Sequence, residues 1–396
     1  MSEATQMTGH CDFDLHGVVG LRVLDATDRD LESVRRQLGL PPVTLTREPD
    51  VTVRFVDRVS TGPLTYVGLD ETGFNEDGFV VLKGNGGRPD RAMVPFDAIG
   101  DRPEVRCERG ASAVPHLLAI LNLTALAKGI LPLHATAFTL HGQGVLVTGW
   151  SKGGKTETLL AAAAHGAHYV GDEWVFLTSD GTMWGLPERI RLWSWQLDQF
   201  PEILSARSRG DRRRLRVWRA MATSARAAAR LSSRAPFEGA AELARKTVPV
   251  LERQSYVRVP PADLVGRGRV ALTGRLDAVV LVMSSSAEAI TTRQAAPLEV
   301  SGRMAASLAE ERAPFMAHYR QFRFAFPGRS SDLVERSEAL EARLLADLFD
   351  RRPAAVVTHP HPCDIEALGD AVLTAAKELS ASAAPPVAAS AGGGGS

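Results

Sequence analysis

Short apolar runs separated by turn residues and charged stretches follow one another along the whole chain, a pattern typical of α/β proteins. In the first third of the chain, strand-like runs occupy residues 51–56, 64–68 and 78–83. Ahead of them, Thr27 or Asp28 is a candidate cap for a helix that continues through Val34. This part predicts a small module that is α/β or mostly β, and no chemistry is recognisable in it.

The chain divides near residue 112, where an apolar segment from Ser112 predicts a helix that leads into a second domain. We therefore expect an N-terminal module over residues 1–112 and a nucleotide-binding domain over residues 113–380. The last residues, 381–396, are small and rich in glycine and proline, and they predict a flexible tail or linker.

Residues 149–156 read Gly-Trp-Ser-Lys-Gly-Gly-Lys-Thr, which matches the phosphate-loop pattern G-x-x-x-x-G-K-T. An apolar run at residues 144–148 precedes the motif and predicts a buried strand. Good helix formers at residues 157–164 follow it and are ended by His165 and Gly166. A strand, a glycine-rich loop and a helix in this order form the structural context that the pattern needs.

In such a loop, backbone N–H groups converge on phosphate oxygens, and the helix N-terminus adds its positive dipole end. We expect Lys155 to reach the β- and γ-phosphates of ATP, and the hydroxyl of Thr156 to bind Mg²⁺. The predicted nucleotide-binding residues are Gly149, Ser151, Lys152, Gly153, Gly154, Lys155, Thr156 and Glu157.

Two adjacent acids, Asp172 and Glu173, interrupt an apolar run over residues 168–177 that predicts a strand. Carboxylates in such a run are costly to bury unless a cation or hydrogen-bond donors meet them. Beside a nucleotide, Mg²⁺ is such a cation, and a second acid is available to accept a proton from an attacking hydroxyl. Alternation along a strand places the two acids on opposite faces, so both can serve only at a bend or a strand end.

The run from Leu133 to Glu173 resembles the kinase domain of the HPr kinase/phosphorylase family. The matching pieces are Leu133-His134-Ala135, the segment 142–149, the Gly-Lys-Thr-Glu sequence that begins at Gly154, and the segment 165–173. The match is close over about forty residues and loose over about 130–200 and 270–380. The resemblance implies a P-loop, HPr kinase-like fold for the C-terminal domain.

The resemblance also implies roles for individual residues. Asp172 is the expected general base toward a substrate hydroxyl, Thr156 and Glu173 are expected near the metal, and His134 is expected beside the phosphates. Judged by pattern alone, His134 is most typical of a core histidine; only the resemblance makes a functional role an equal alternative, so both interpretations remain open.

Three residues depart from the family pattern. Glu173 stands in place of a second Asp, Lys152 in place of a small loop residue, and Trp150 is bulky. Trp150 has two open interpretations, stacking on a substrate or packing against a neighbouring strand. These departures argue against assuming that HPr itself is the substrate.

The chain has 396 residues with 46 basic and 46 acidic side chains, so its overall charge provides no case for nucleic-acid binding. Three widely spaced cysteines, Cys11, Cys107 and Cys363, argue against a disulfide framework and favour a reducing compartment. Neither a signal peptide nor an apolar run of membrane-spanning length is apparent. We expect a cytoplasmic protein without a membrane partner.

Ten arginines lie in a segment that we interpret as an insertion over about residues 204–235, and only Asp211 opposes them. They are Arg207, Arg209, Arg212, Arg213, Arg214, Arg216, Arg219, Arg226, Arg230 and Arg234. Three interpretations of this segment remain open: a lid, a docking surface for an acidic peptide or protein, and a solvated helix. RNA binding has little support.

Arg189 and Arg191 either face the transferred phosphoryl group or belong to a solvated strand.

Residues 359–363 read His-Pro-His-Pro-Cys and contain three potential zinc ligands, but the spacing favours a turn that leads into a helix from Asp364.

Three function classes remain open. They are a kinase that phosphorylates a hydroxyl on a peptide, protein or small molecule, a nucleotide-gated binding module without phosphotransfer, and a phosphoenolpyruvate carboxykinase-type enzyme. The base expected at Asp172 favours the kinase. The acceptor, the oligomeric state, the role of the N-terminal module and any phosphorylase activity are not determined by the sequence.

Overall fold

The computed structural model describes residues 9–68, 72–81, 91–232, 248, 251, 254–350 and 352–383. This part of the chain contains 20 β-strands in four sheets and ten α-helices, so the α/β class predicted from the sequence is confirmed. Within the described residues, no helix combines the length and apolar character needed to cross a bilayer.

The N-terminal sheet has eight strands in the order β1-β2-β3-β8-β7-β6-β5-β4. In chain order they are β1 (His10–Leu15), β2 (Val19–Leu24), β3 (Val51–Val56), β4 (Thr65–Tyr66), β5 (Thr72–Asn75), β6 (Gly78–Val81), β7 (Ala92–Val94) and β8 (Glu104–Glu108). The strand predicted at 51–56 is confirmed, and the one predicted at 64–68 is reduced to two residues. Of the strand predicted at 78–83, residues 82 and 83 lie outside the described residues.

Helix α1 (Asp28–Leu38) follows β2 and packs on this sheet. Thr27 is its N-cap: the Thr27 hydroxyl accepts a hydrogen bond from the Asp30 N–H, and the Asp30 side chain accepts one from the Thr27 N–H. This reciprocal arrangement satisfies two backbone donors that a helix start leaves open. The helix predicted from the cap at Thr27 is therefore confirmed.

The helix predicted from Ser112 begins later than expected. Helix α2 (Leu117–Ala127) starts only after His116, whose φ of +54° is incompatible with a right-handed helix. Pro115 precedes it, and the residue before a proline is disfavoured in the α region. Local backbone geometry, rather than hydrophobic pattern, therefore sets the start of α2.

Two imidazoles meet where α2 begins. Nε2 of His116 lies 2.9 Å from Nδ1 of His318, and the His116 ring packs 5.5 Å from the rings of Phe79 and Phe315. Burial and, next, the charge of His318 lower the pKa of His116 to about 4. Because the unfolded chain binds this proton near pH 6.5, protonation favours unfolding as the pH falls from about 6.5 to about 4.

We expect the free energy of unfolding to decrease by roughly 2 kcal/mol between pH 7 and pH 5 through His116 alone. His116→Asn, which removes the titrating group and tolerates the left-handed backbone, should flatten this pH dependence. Urea unfolding of both proteins at the two pH values measures the effect. An unchanged pH slope in the variant would show that His116 is not the group responsible.

The remaining twelve strands form three sheets. They are β9 (Leu131–His134), β10 (Thr136–Leu140), β11 (Gln143–Thr148), β12 (His168–Gly171), β13 (Trp174–Leu177), β14 (Thr182–Gly185), β15 (Ile190–Trp193), β16 (Tyr256–Val259), β17 (Thr273–Arg275), β18 (Ala278–Ser285), β19 (Thr291–Ala295) and β20 (Ala354–Pro360). The largest has the order β12-β10-β11-β18-β20-β19, the second β17-β14-β13-β9, and β15 pairs with β16 alone.

Eight helices accompany these strands. They are α3 (Lys155–Ala164), α4 (Ser194–Gln199), α5 (Pro201–Ser205), α6 (Arg209–Ser232), α7 (Pro261–Val265), α8 (Pro297–Ala325), α9 (Asp332–Phe349) and α10 (Ile365–Ala383). The strand and helix predicted around the glycine motif are confirmed as β11 and α3. Of the tail predicted over 381–396, residues 381–383 continue α10, and residues 384–396 lie outside the described residues.

The six-stranded sheet has a parallel centre, β11-β18-β20. Successive side chains of β11 alternate between its faces: Val145 and Val147 pack in one core with α3 and α10, and Leu146 packs in another with α8 and α9. Both faces of the central strands are thereby buried. The carboxyl end of β11, where ligands bind in open α/β sheets, leads directly into the glycine motif.

The N-terminal sheet shares its hydrophobic core with the C-terminal part of the chain. Phe315, Tyr319 and Phe322 of α8 and Val334 of α9 lie in the same buried cluster as the apolar residues of β1–β3 and α2. Because these side chains are almost fully buried, a common hydrophobic core joins the two parts.

Candidate active site

The loop between β11 and α3 turns tightly around its glycines. Gly149 has a φ of +153°, and a Cβ there would lie 2.3 Å from the Val282 carbonyl oxygen. Gly154 has a φ of +111°, and a Cβ there would lie 2.7 Å from Nε2 of His359. The close approach of β18 and of His359 therefore requires glycine at both positions.

Lys155 is the first residue of α3, and only 7% of it is exposed. Its ammonium group donates hydrogen bonds to the carbonyl oxygens of Gly149 and Trp150, both at 3.0 Å. Burial lowers the pKa of Lys155, while the surrounding carboxylates, Glu173 and Asp172 first, oppose that shift. The ammonium thus lies across the loop, next to the N–H groups at the start of the helix.

The run predicted as one strand over residues 168–177 is two strands in different sheets. β12 pairs with β10 in the six-stranded sheet, and β13 pairs with β9 in the four-stranded sheet. Asp172 and Glu173 form the link, and Glu173 has a φ of +75°. The single-strand prediction was wrong, but the bend that both acids need to serve one site is present.

Asp172 is buried beside the loop. Its carboxylate accepts hydrogen bonds from the hydroxyl of Thr156, at 3.2 Å, and from the hydroxyl of Thr136. Burial and, next, the negative charge of Glu173 raise the pKa of Asp172 to about 7. This carboxyl group therefore exchanges a proton near neutrality while in contact with the glycine motif.

His134 lies between two carboxylates. Its Nε2 lies 2.9 Å from Glu173 and its Nδ1 lies 2.6 Å from Glu311. Burial alone would lower the pKa of His134, but the two acids outweigh burial and raise it to about 9. The bond to His134 in turn lowers the pKa of Glu173, whose side chain is 48% exposed at the cleft. Glu311, His134 and Glu173 thus form a row of alternating charges that runs from α8 to the cleft.

All these groups open into one cleft of about 1350 Å³. Of the residues predicted for the site, the following line it: His134, Ser151, Lys152, Lys155, Thr156, Glu157, Asp172 and Glu173. Gly149, Gly153 and Gly154 shape the loop beneath it. Arg189 and Arg191 line the cleft as well. The cleft therefore brings together four separate parts of the sequence, around residues 134, 151–157, 172–173 and 189–191.

Trp150 and Lys152 differ in their relation to the cleft. Trp150 is 52% exposed and is not among the residues that line the cleft, so both interpretations of its indole stay predictions. Lys152 is exposed at the cleft and has a φ of +63°. Its charge therefore stands at the solvent side of the loop, apart from the buried Lys155.

The sequence pattern did not identify three side chains that contribute to the site. Glu311 comes from the middle of α8, Thr136 from β10, and Glu188 from the segment before β15. Burial raises the pKa of Glu188 well above the usual range, the charges of Glu173 and Asp172 add to this, and its Oε1 has no hydrogen-bond partner. No local signal distinguishes Glu311 from the other acids of this long helix.

The His-Pro-His-Pro-Cys segment forms the turn from β20 into α10. His359 is 1% exposed, with Nε2 at 2.8 Å from the Gly153 carbonyl oxygen and Nδ1 at 2.7 Å from that of Pro360. His359 thus supports the glycine-rich loop. Among the described residues, no three His, Cys, Asp or Glu side chains are grouped to hold a metal ion. Cys363 is buried and, like Cys11 and Cys107, is not part of a disulfide.

The arginine-rich segment is helical from Arg209 to Ser232, and part of its charge is used locally. Arg207 pairs with Asp263 at 2.8 Å, and Arg219 pairs with Asp198 at 2.8 Å and donates to the Ser194 carbonyl oxygen. Arg226 lines the cleft. The side chain of Arg230 and all of Arg234 lie outside the described residues.

Comparison with known proteins adds no relative to this picture. No protein-family model matches the chain, and no curated protein is significantly similar to it.

Proposed function

We propose that the protein is an ATP-dependent kinase, built on an HPr kinase-like P-loop domain, that transfers the γ-phosphoryl group to a serine-type hydroxyl. The observation that carries the proposal is the contact between the Thr156 hydroxyl and the buried Asp172 carboxylate, next to Lys155. P-loop enzymes use such a hydroxyl and acid together at the metal–phosphate end of the nucleotide. The acceptor is a peptide, a protein or a small molecule.

ATP binding is supported by the loop and the helix that follows it. The first N–H groups of α3 have no partner within the helix, and its dipole favours negative charge at that end. Lys155 reaches the β- and γ-phosphates by exchanging its two carbonyl acceptors for phosphate oxygens. The charge-assisted bonds that result are stronger than those to neutral carbonyls.

Mg²⁺ is expected with the nucleotide. The cleft is lined by five acidic side chains, and those that are ionised would repel phosphate without a cation between them: Glu157, Asp172, Glu173, Glu188 and Glu311. Thr156 and Asp172 offer the oxygen donors that Mg²⁺ prefers, and one or two such ligands suffice when phosphates and water complete the shell. Glu173 is a further ligand at the mouth of the site. The ion would offset the charge that develops on the transferred phosphoryl group.

The proton of the acceptor hydroxyl needs a base near the phosphoryl group. Asp172, with a pKa of about 7, is suited to accept it. His134 holds Glu173 in place through their 2.9 Å contact and adds positive charge beside the phosphates. Arg191 also faces the cleft, where its guanidinium offsets negative charge.

We propose that the acceptor enters along the side of the cleft where Arg226 of the arginine-rich helix lies, and that this helix favours an acidic peptide or protein. Nucleic acid is not the expected partner, because the overall charge is balanced. A cytoplasmic location fits three cysteines that form no disulfide and the use of ATP. The oligomeric state stays open.

The test is ATP consumption by the purified protein with a cell extract of its source, followed by mass spectrometry for new phosphate esters. We expect ATP consumption that depends on Mg²⁺ and on the extract, with phosphate on serine or another hydroxyl. Nucleotide binding without transfer would identify a nucleotide-gated binding module instead. ATP-dependent formation of phosphoenolpyruvate from oxaloacetate would identify the carboxykinase-type alternative.

A further inference from the structure

The two-stranded ribbon β15–β16 has one buried face and one face toward the cleft. Ile190, Leu192, Val257 and Val259 are at most 1% exposed and belong to the core. The alternate positions are Arg191, Trp193, Tyr256 and Arg258, and of these Arg191, Trp193 and Arg258 line the cleft. We call these four residues the arginine–aromatic face.

Two like charges stand directly opposite each other on this face. Arg191 pairs with Arg258 in the antiparallel register, and Trp193 pairs with Tyr256. Like charges in opposite positions destabilise a strand pair. In the part of the chain that the structure describes, no carboxylate forms an ion pair with either arginine, whereas Arg207 and Arg219 nearby each have one. Among the described residues, neither guanidinium is therefore neutralised by a direct ion pair.

Aromatic contacts hold both guanidinium groups in place. The guanidinium carbon of Arg191 lies 5.0 Å from the Tyr256 ring centroid and 5.9 Å from that of Trp193. That of Arg258 lies 6.0 Å from Tyr256. Stacking leaves the N–H edges of a guanidinium free to donate, so both arginines are pre-oriented donors on one wall of the cleft.

The cleft has room for a second ligand beside a nucleotide. Its volume of about 1350 Å³ exceeds the ≈ 300–1,000 Å³ of sites that enclose one small molecule. The carboxylates that need a cation lie around the glycine-rich loop and the linker between β12 and β13. The arginine–aromatic face lies on a separate ribbon, yet Arg191 and Arg258 line the same cleft as Asp172 and Glu173. An acceptor held by this face would therefore reach the phosphoryl-transfer end of the cleft.

We propose that Arg191 and Arg258 together bind an oxyanion, a carboxylate or a phosphate, on the acceptor, and that the rings of Trp193 and Tyr256 hold both guanidiniums in register. The proposal rests on the kinase function proposed above, and it names the acceptor class: a hydroxyl compound that carries a second, anionic group. Guanidinium forks match the planar or tetrahedral oxygens of such groups with paired hydrogen bonds. The hydroxyl to be phosphorylated then points away from the ribbon, toward Asp172.

The first calorimetric titration measures the affinity for a non-hydrolysable ATP analogue with Mg²⁺. Two further titrations, with the analogue saturating, measure the affinities for two anionic probes. One probe is an acetylated hexapeptide of alternating glutamate and serine, with the glutamine–serine peptide as its neutral match. The other is glycerol 3-phosphate, with glycerol as its neutral match. Saturation with the analogue keeps the phosphate probe off the glycine-rich loop.

The variant is Arg258→Gln, with Arg267→Gln as its control, because Arg267 is an exposed arginine outside the cleft. We expect Arg258→Gln to weaken binding of at least one anionic probe about tenfold, the loss of a charge-assisted hydrogen bond, and to leave the analogue unaffected. Arg267→Gln should change neither the affinity for the analogue nor that for either probe. The probe that responds identifies the oxyanion as carboxylate or phosphate.

The inference would be overturned if neither probe binds the wild-type protein more tightly than its neutral match, or if Arg258→Gln leaves both affinities unchanged. Failure of the ATP analogue itself to bind would instead overturn the proposed kinase function. The two results are separate because the analogue titration is performed first and without probe.

Discussion

Lys155→Ala should abolish ATP binding at micromolar nucleotide, with an affinity lower by roughly 100-fold or more, while the protein remains folded. The reason is that its ammonium group supplies about two charge-assisted hydrogen bonds to phosphate, each worth about 1.5–3 kcal/mol. The loop is otherwise held by its glycines and by the contact between His359 and Gly153, which the variant retains. Calorimetric titration with an ATP analogue and Mg²⁺ measures the effect.

Lys377→Ala is the matched control, since it removes the same charge from an exposed position on α10, away from the cleft. Circular dichroism and the melting temperature establish that both variants are folded. If folded Lys155→Ala binds ATP as tightly as the wild type does, the glycine-rich loop is not a phosphate site, and the kinase proposal loses its basis.

Asp172→Asn should retain ATP binding but reduce phosphoryl transfer on the order of 10²-fold or more, as expected when a general base is lost. Asparagine preserves the size of the side chain: its Oδ1 can accept a hydrogen bond from one of the hydroxyls of Thr156 and Thr136, and its Nδ2 can donate to the oxygen of the other. Asp347→Asn, an equivalent change on the exposed side of α9, should leave transfer unchanged. Single-turnover transfer to an identified acceptor is the measurement.

A magnesium titration of the same variant separates the two roles open to Asp172. If Asp172 is mainly the proton acceptor, the Mg²⁺ concentration for half-maximal ATP binding stays constant while transfer falls. If it is mainly a metal ligand beside Thr156, that concentration rises. Full transfer activity in Asp172→Asn would instead assign the base to another carboxylate, with Glu173 and then Glu157 the next candidates.

Much of the candidate site could be predicted because its chemistry is local in the sequence. The glycine motif, Lys155 and Thr156 occupy one loop, and the loop conformation follows from glycines that meet the Val282 carbonyl and the His359 ring. The acids Asp172 and Glu173 were conspicuous because they interrupt an apolar run. Burying a charge without a partner costs free energy, so an acid within an apolar segment indicates a functional site even without structural data.

Other parts could not be predicted, because their signals lie in spatial contacts. The start of α2 was misplaced since hydrophobic periodicity does not report the left-handed backbone of His116. Residues 168–177 were interpreted as one strand since periodicity does not show that β12 and β13 enter different sheets. Glu311 lies 177 positions after His134 in the chain, and only the packing of α8 brings its carboxylate to that ring.

The sequence by itself determined the α/β class, the strand–loop–helix around the glycine motif, and the identity of the residues on which a phosphate site depends. These features follow from short-range preferences: apolar runs, glycine conformations and helix formers within a few residues of each other. The tertiary structure alone decided that Asp172 is buried against Thr156, that His134 lies between Glu173 and Glu311, and that Arg191 faces Arg258. Burial and the distances between charges set pKa values and binding, and both depend on which distant segments pack together.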